Sequence, residues 1–249
     1  MRTESSGEVT RVTLHSRGDR IEQLKYSFVS IDNCDRSYIT KRVILHGEFM
    51  VEENIPEKPE GAEDIERQGV EGLMHCLHDS TDPKVRQYAA YLLGKTQNPR
   101  AIQPLIEALG DFDKSVRAQA MSALVMIGKT AVEPLSSAMK EPQWETRYRA
   151  VEALGKIADE RAVKPLIQAL KDNRDHVRYM AAKGLREIGD SDAVDPMIIL
   201  LKDENRYVRM MTVWSLGAIG GKKVHDALKH ALETEGDEKV REAITQAMK

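Results

Sequence analysis

The feature that most constrains this chain is that it repeats itself. A Val-Arg dipeptide or a close variant recurs at Arg86, Arg117, Arg147, Arg178, Arg209 and Arg241, at spacings of 31, 30, 31, 31 and 32 residues. A period of this length marks one structural unit used repeatedly, each copy burying its apolar face only against its neighbours. Apolar or small residues follow each anchor at helical spacing: Val116, Ala120, Ala123 and Leu124 in the second copy, Val177, Ala181, Gly184 and Leu185 in the fourth. That spacing draws one apolar face on a helix. Ala89, Ala120, Ala150 and Ala181 keep the middle of this face small, so a neighbouring helix can come close.

The punctuation is equally regular. Gly128, Gly189 and Gly220 stand where the first helix should end, in the left-handed position that glycine takes at least cost. Pro104, Pro134, Pro165 and Pro196 then belong in the first turn of a second helix, where proline removes no hydrogen bond. Its own stripe is Ile102, Leu105, Ile106 and Leu109 in the first copy. Neither helix can bury its stripe alone, so the pairs must stack. An all-α solenoid of about five to six helix pairs is expected over residues 65–249.

An acid precedes each anchor. Asp111, Glu141, Asp172, Asp203 and Glu235 lie six residues before Arg117, Arg147, Arg178, Arg209 and Arg241, and Asp79 lies seven before Arg86. The expected role is a structural ladder, arginine and acid bridging the inter-repeat turns while the carboxylate caps a helix. A row of catalytic carboxylates is the competing reading. Chemistry is rarely repeated six times, so architecture is preferred.

Taken together, V-R-x-x-A-x-x-x-L-G-x-I-G followed by A-V-x-P-L-I-x-A-L-x-D resembles the HEAT-like repeat of the phycobilin-lyase (PBS lyase) class, across about residues 65–249. The resemblance implies a right-handed α-solenoid of HEAT-like helix pairs. Proteins of this architecture include chromophore lyase subunits, deoxyhypusine hydroxylase, alkylpurine DNA glycosylases and many adaptors, so fold alone does not choose a function.

Ahead of the repeats the texture changes. Residues 1–52 are rich in β-branched and aromatic residues with partial alternation, as in Leu24, Tyr26, Phe28, Val43 and Leu45, and turn-forming clusters separate the runs. A small β-rich segment is expected here, a meander or cap, with docking on a partner as its alternative role. Residues 53–64 are acidic with two prolines and read as a linker.

The residues argue against most catalytic classes. The seven histidines include no His-Glu dipeptide, the motif that a di-iron hydroxylase of this architecture uses. His75, Cys76 and His78 cluster, but two or three ligands do not make a site, and no metal or cofactor is expected. No phosphate loop, dinucleotide fingerprint or nucleophile elbow occurs. A net charge of −3, with mixed signs on the second helices, disfavours nucleic acid. Two cysteines, no apolar leader and no long apolar run suggest a cytoplasmic protein that does not enter a membrane.

These readings favour a non-catalytic protein–protein interaction scaffold or adaptor. The alternatives are a chromophore (bilin) lyase or chaperone-like subunit acting on a phycobiliprotein-type partner, and a nucleic-acid-binding repeat protein. Another protein is the expected partner. Its contact should lie where copies depart from the common pattern, at Tyr148, Tyr179, Met210 and Trp214 on first helices and at Ile199 and Leu200 on a second helix. Aromatic residues and methionine are enriched at interface centres.

Overall fold

A computed structural model describes the backbone at residues 38–45 and 49–249 and the side chains from residue 55 onward. The expectations resting on Leu24, Tyr26 and Phe28 lie outside the described residues. Two compact units emerge, Met1–Glu60 and Gly61–Lys249. In the first, strands β1 (Tyr38–Leu45) and β2 (Phe49–Pro56) form an antiparallel hairpin whose register pairs Tyr38 with Pro56 and Val43 with Val51. β2 continues into the stretch read as a linker, and α1 (Ala62–Glu66) occupies its far end.

The second unit is a stack of helix pairs. After α2 (Gly69–Asp79), a row of long helices comprises α3 (Pro83–Thr96), α5 (Lys114–Ile127), α7 (Trp144–Ile157), α9 (Asp175–Ile188) and α11 (Arg206–Ile219), closed by α13 (Glu238–Ala247). The partners are α4 (Ile102–Glu107), α6 (Val132–Ala138), α8 (Val163–Ala169), α10 (Val194–Leu200) and α12 (Lys222–Thr234). The period read from the anchors is thus a long helix, a turn and a second helix.

Local chemistry explains each boundary. Asp82, Asp113, Asn205 and Asp237 cap α3, α5, α11 and α13 by accepting first-turn backbone N–H groups. Long helices end on a residue with left-handed φ, which is Gly189 at 74° after α9 and Ala158 at 51° after α7. The turn into the second helix is a short 3-10 segment started by Asn98, Asp159 or Asp190, each accepting the N–H two residues on. Arg161 and its backbone N–H hold the Asp159 carboxyl down at about 2, and Arg161 Nη2 also donates to the Lys129 carbonyl at 2.9 Å, tying two repeats together.

The core is two rows of leucine, with Met197 as the one exception. Leu93, Leu124, Leu154, Leu185 and Leu216 fill equivalent positions on the long helices, and Leu105, Leu135, Leu166, Met197 and Leu228 on the second helices; all are at most 1% exposed. Ala89, Ala120, Ala150 and Ala181 are fully buried, as the expected close approach requires.

The closest approaches are at glycine. A Cβ on Gly155 of α7 would lie 2.7 Å from the Gly184 Cα of α9, and one on Gly94 of α3 would lie 2.7 Å from the Ala123 Cα of α5. The position equivalent to Gly155 carries Val125 in α5 and Arg186 in α9. Tight and looser seams therefore alternate along the row, which accounts for Arg186 departing from the pattern.

Candidate functional site

The ladder forms, but with a different wiring from the one read in sequence. Four of the six anchor arginines pair with the acid of the following repeat. Arg86 Nε and Nη2 each bond Asp111 at 2.8 Å, Arg147 bonds Asp172 at 2.7 and 2.9 Å, Arg178 bonds Asp203 at 2.7 and 2.9 Å, and Arg209 bonds Glu235 at 2.8 and 3.0 Å. These are two-pronged, parallel contacts, the strong geometry for guanidinium and carboxylate. Nη1 meanwhile turns back to the acid six residues earlier and donates to its backbone carbonyl, as Arg178 does to Asp172 at 2.9 Å and Arg241 to Glu235 at 3.1 Å. One arginine thus clasps two successive inter-repeat turns.

The acid also works locally. Asp111, Asp172, Asp203 and Glu235 each accept the backbone N–H two residues on, from Asp113, Arg174, Asn205 and Asp237. Burial pushes the Asp111, Asp172 and Glu235 carboxyls up, but the arginine and backbone hydrogen bonds outweigh it and hold all three below their ordinary range.

Two rungs depart. Asp79 does not engage Arg86; its carboxylate meets Nδ1 of both His75 and His78 at 2.6 Å, and Arg86 Nη1 bonds the Ser80 carbonyl instead. At the seam between α5 and α7, Glu141 occupies the ladder position but is exposed, and Arg147 takes its backbone carbonyl, not its carboxylate. Arg117 bonds the carbonyls of Asp111 and Phe112 at 2.6 and 3.0 Å and has no carboxylate partner among the described residues.

Of the departures singled out in sequence, Tyr148, Tyr179 and Met210 take the position after the anchor on α7, α9 and α11, and all are half-buried. Trp214 lies one turn beyond Met210 and is 40% exposed. The Tyr148 ring meets Trp144 edge-on with centroids 6.4 Å apart, and the Arg149 guanidinium sits 5.2 Å from the Tyr148 centroid. Burial pushes the Tyr148 hydroxyl up. These four residues share the long-helix row, whereas Ile199 and Leu200 belong to α10. Ile199 is 69% exposed and Leu200 only 7%, so Leu200 is a core residue and not a surface one. Successive residues on a helix point about 100° apart, and "MIILL" turns only one of them to solvent.

Two exposed aromatics escaped the sequence reading. Phe112, in the turn before α5, is fully exposed, and Tyr207, at the start of α11, carries the Arg206 guanidinium 4.8 Å from its ring centroid. The signal for Phe112 was its setting: the matching turns carry Thr81, Pro142, Asn173, Glu204 and Gly236.

Between α10 and α12 lies an open cleft of about 290 Å³. Ile198, Leu201, Ala227 and Ala231 form its apolar wall, and Lys202 and His230 stand at its rim beside the Arg209–Glu235 pair. Its volume is at the lower end of the ~300–1,000 Å³ that enclose a drug-sized ligand, so it can receive part of one. Among the described residues no helix is long and apolar enough to cross a membrane.

Comparison with known proteins places this geometry. The family described as HEAT repeats matches residues 70–135, 128–178 and 163–249, well over half the chain. A phycocyanobilin lyase subunit alpha from a Picosynechococcus species is 35% identical over 111 residues, 37% of this chain and 41% of the relative. A HEAT repeat-containing taxis protein of Halobacterium salinarum is 44% identical over 63 residues, 24% of this chain and 16% of the relative. The chain thus spans under half the length of either curated relative. Among solved structures, the complex of CpcE and CpcF of phycocyanin lyase from a Nostoc species matches at a TM-score of 0.57 and 26% identity, covering 61% of this chain and 100% of that one. These likenesses overturn the reading of a plain non-catalytic scaffold and favour its alternative, a bilin lyase type of subunit. The chain belongs to the HEAT-repeat family.

Proposed function

We propose that this chain is a bilin lyase type of subunit, binding a phycobiliprotein-type partner and helping to place a linear tetrapyrrole on it. The observation that carries the reading is the likeness to the phycocyanin lyase complex, which spans the whole of that chain. In this reading the bilin is substrate, an extended apolar molecule bearing carboxylates. The α10–α12 cleft suits one end of it, with an apolar wall for the rings and Lys202 and His230 at the rim for a carboxylate. The protein partner is assigned to the long-helix row, where Tyr148, Tyr179, Met210 and Trp214 offer large side chains on a solvated edge. Ile199 adds an exposed apolar contact on the α10 side.

The test is reconstitution. Full-length protein is mixed with a phycobiliprotein apo-subunit and phycocyanobilin, with and without a second lyase subunit. Visible absorbance that stays with the apo-subunit on a denaturing gel should form faster than by spontaneous addition. Tyr179→Ala combined with Trp214→Ala should weaken apo-subunit capture while the helical circular dichroism stays unchanged. No capture and no acceleration in any combination would overturn the proposal.

A further inference from the structure

Arg117 presents a carboxylate-binding fork that no described residue fills. In four sister seams the same arginine is filled by a carboxylate from the next turn, at 2.7–3.0 Å on Nε and Nη2. Arg117 keeps the backbone half of the arrangement, holding the Asp111 and Phe112 carbonyls, so its guanidinium is anchored as theirs are. Nε and Nη2 are without a partner among the described residues.

The turn opposite lacks the rest of what the acid normally supplies. No carboxylate accepts the Gln143 N–H, although the matching N–H groups of Asp113, Arg174, Asn205 and Asp237 are all taken. Gln143 caps α7 without a side-chain hydrogen bond, so the positive end of a 14-residue helix faces the same place. Beside it stands Phe112, the fully exposed aromatic whose own carbonyl Arg117 holds. Guanidinium, uncapped helix start and exposed ring converge on one seam.

We infer that this seam is a docking point for an acidic turn of a partner protein, an Asp or Glu side chain entering the Arg117 fork while an adjacent apolar residue covers Phe112. The sister seams define the occupant, because the chain's own acid-bearing turns satisfy the same group four times, three times with Asp and once with Glu. The inference rests on the reading that the solenoid works on a protein partner. It supplies the chemistry of one contact.

The experiment uses the full chain and a peptide copied from an occupied turn, acetyl-Ala-Leu-Lys-Asp-Asn-Arg-Asp-amide, the sequence of residues 169–175. The ¹H–¹⁵N signal of Arg117 Nε is followed by NMR, with exposed Arg174 as internal control. The Arg117 signal should move and saturate, and the peptide with its first Asp changed to Asn should need at least fivefold more to do so. Phe112→Ala should weaken binding severalfold. Glu141→Asp, which shortens the acid to the length found in three of the sister seams, should fill the fork from within and abolish the response. The inference fails if Arg117 responds no more than Arg174, or if a response appears only in Glu141→Gln, which would mean that Glu141 fills the fork itself. No bilin or apo-subunit is present, so this result stands apart from the success or failure of the reconstitution.

Discussion

Two seams of the same stack, built from the same repeat, are held differently. Between α9 and α11, Arg178 and Asp203 make a two-pronged pair with side chains only 10% and 7% exposed. Between α5 and α7, Arg117 has no carboxylate partner among the described residues and Glu141 faces solvent. The seams have the same helices, the same leucine rows and the same backbone clasp. They differ in one buried carboxylate. A repeat scaffold can therefore drop a single interaction at one place without losing the stack, because nearest-neighbour packing carries the rest. That is also how a repeat protein acquires a site.

The comparison breaks most sharply at the buried acid. Asp203→Ala removes the two-pronged partner of the buried Arg178 guanidinium, leaving it only the exposed Glu204 at 3.4 Å, and should cost about 3 kcal/mol. Glu141→Ala, at the same rung of the other seam, should change stability by less than about 0.5 kcal/mol. Urea unfolding of the two variants under one set of conditions decides it, and equal losses would refute the difference between the seams.

Next in size is helix contact. Gly155→Ala places a methyl group 2.7 Å from the Gly184 backbone of α9. Overpacking of this kind costs about 1–3 kcal/mol, to be read from the same unfolding curves. Gly236→Ala, with no atom within 4 Å of its added Cβ, is the matched control and should stay within about 0.5 kcal/mol.

Glu141→Asp sharpens the comparison in the other direction. If only the reach of the side chain separates the two seams, restoring the shorter acid should raise stability by about 1 kcal/mol. No gain would show that the turn before α7, and not the acid, sets the gap.

The smallest effect concerns pH. Asp111, Asp172 and Glu235 have carboxyls lowered relative to the unfolded chain. Their contribution is complete above the unfolded value of about 4 and is lost as pH falls through the folded values. Thermal midpoints should therefore drop as pH falls below about 4, and the drop should be shallower in Asp111→Asn.

Much of the fold could be read from the residues because repetition averages out accident. A lone Gly189 or Pro196 is weak punctuation, but the same residue types recurring at one period fix the helix pair, its ends and its buried stripe. The acid–arginine ladder was legible as residue types and not as wiring. In sequence the nearest acid lies six residues before Arg178, whereas in space the partner is Asp203, 25 residues after it. The stack brings the next turn alongside, and the arginine's reach is longer than the local distance suggests. Leu200 was misread for a related reason, since an apolar run on a short helix does not say which member faces out. The choice between adaptor and lyase subunit was not legible at all, because both use this scaffold and neither announces itself by a reactive motif.

The sequence by itself determined the period, the two-helix unit, the small residues at the contact face and the positions where copies depart from the pattern. Each of these depends on local helix geometry or on the alternation of apolar and polar residues, which a chain carries in one dimension. The tertiary structure decided which acid the paired arginines take, which glycine meets which backbone and that the Arg117 fork is open among the described residues. Those depend on distances between residues about 25–30 apart in the chain, and only the stacking of one repeat on the next sets them.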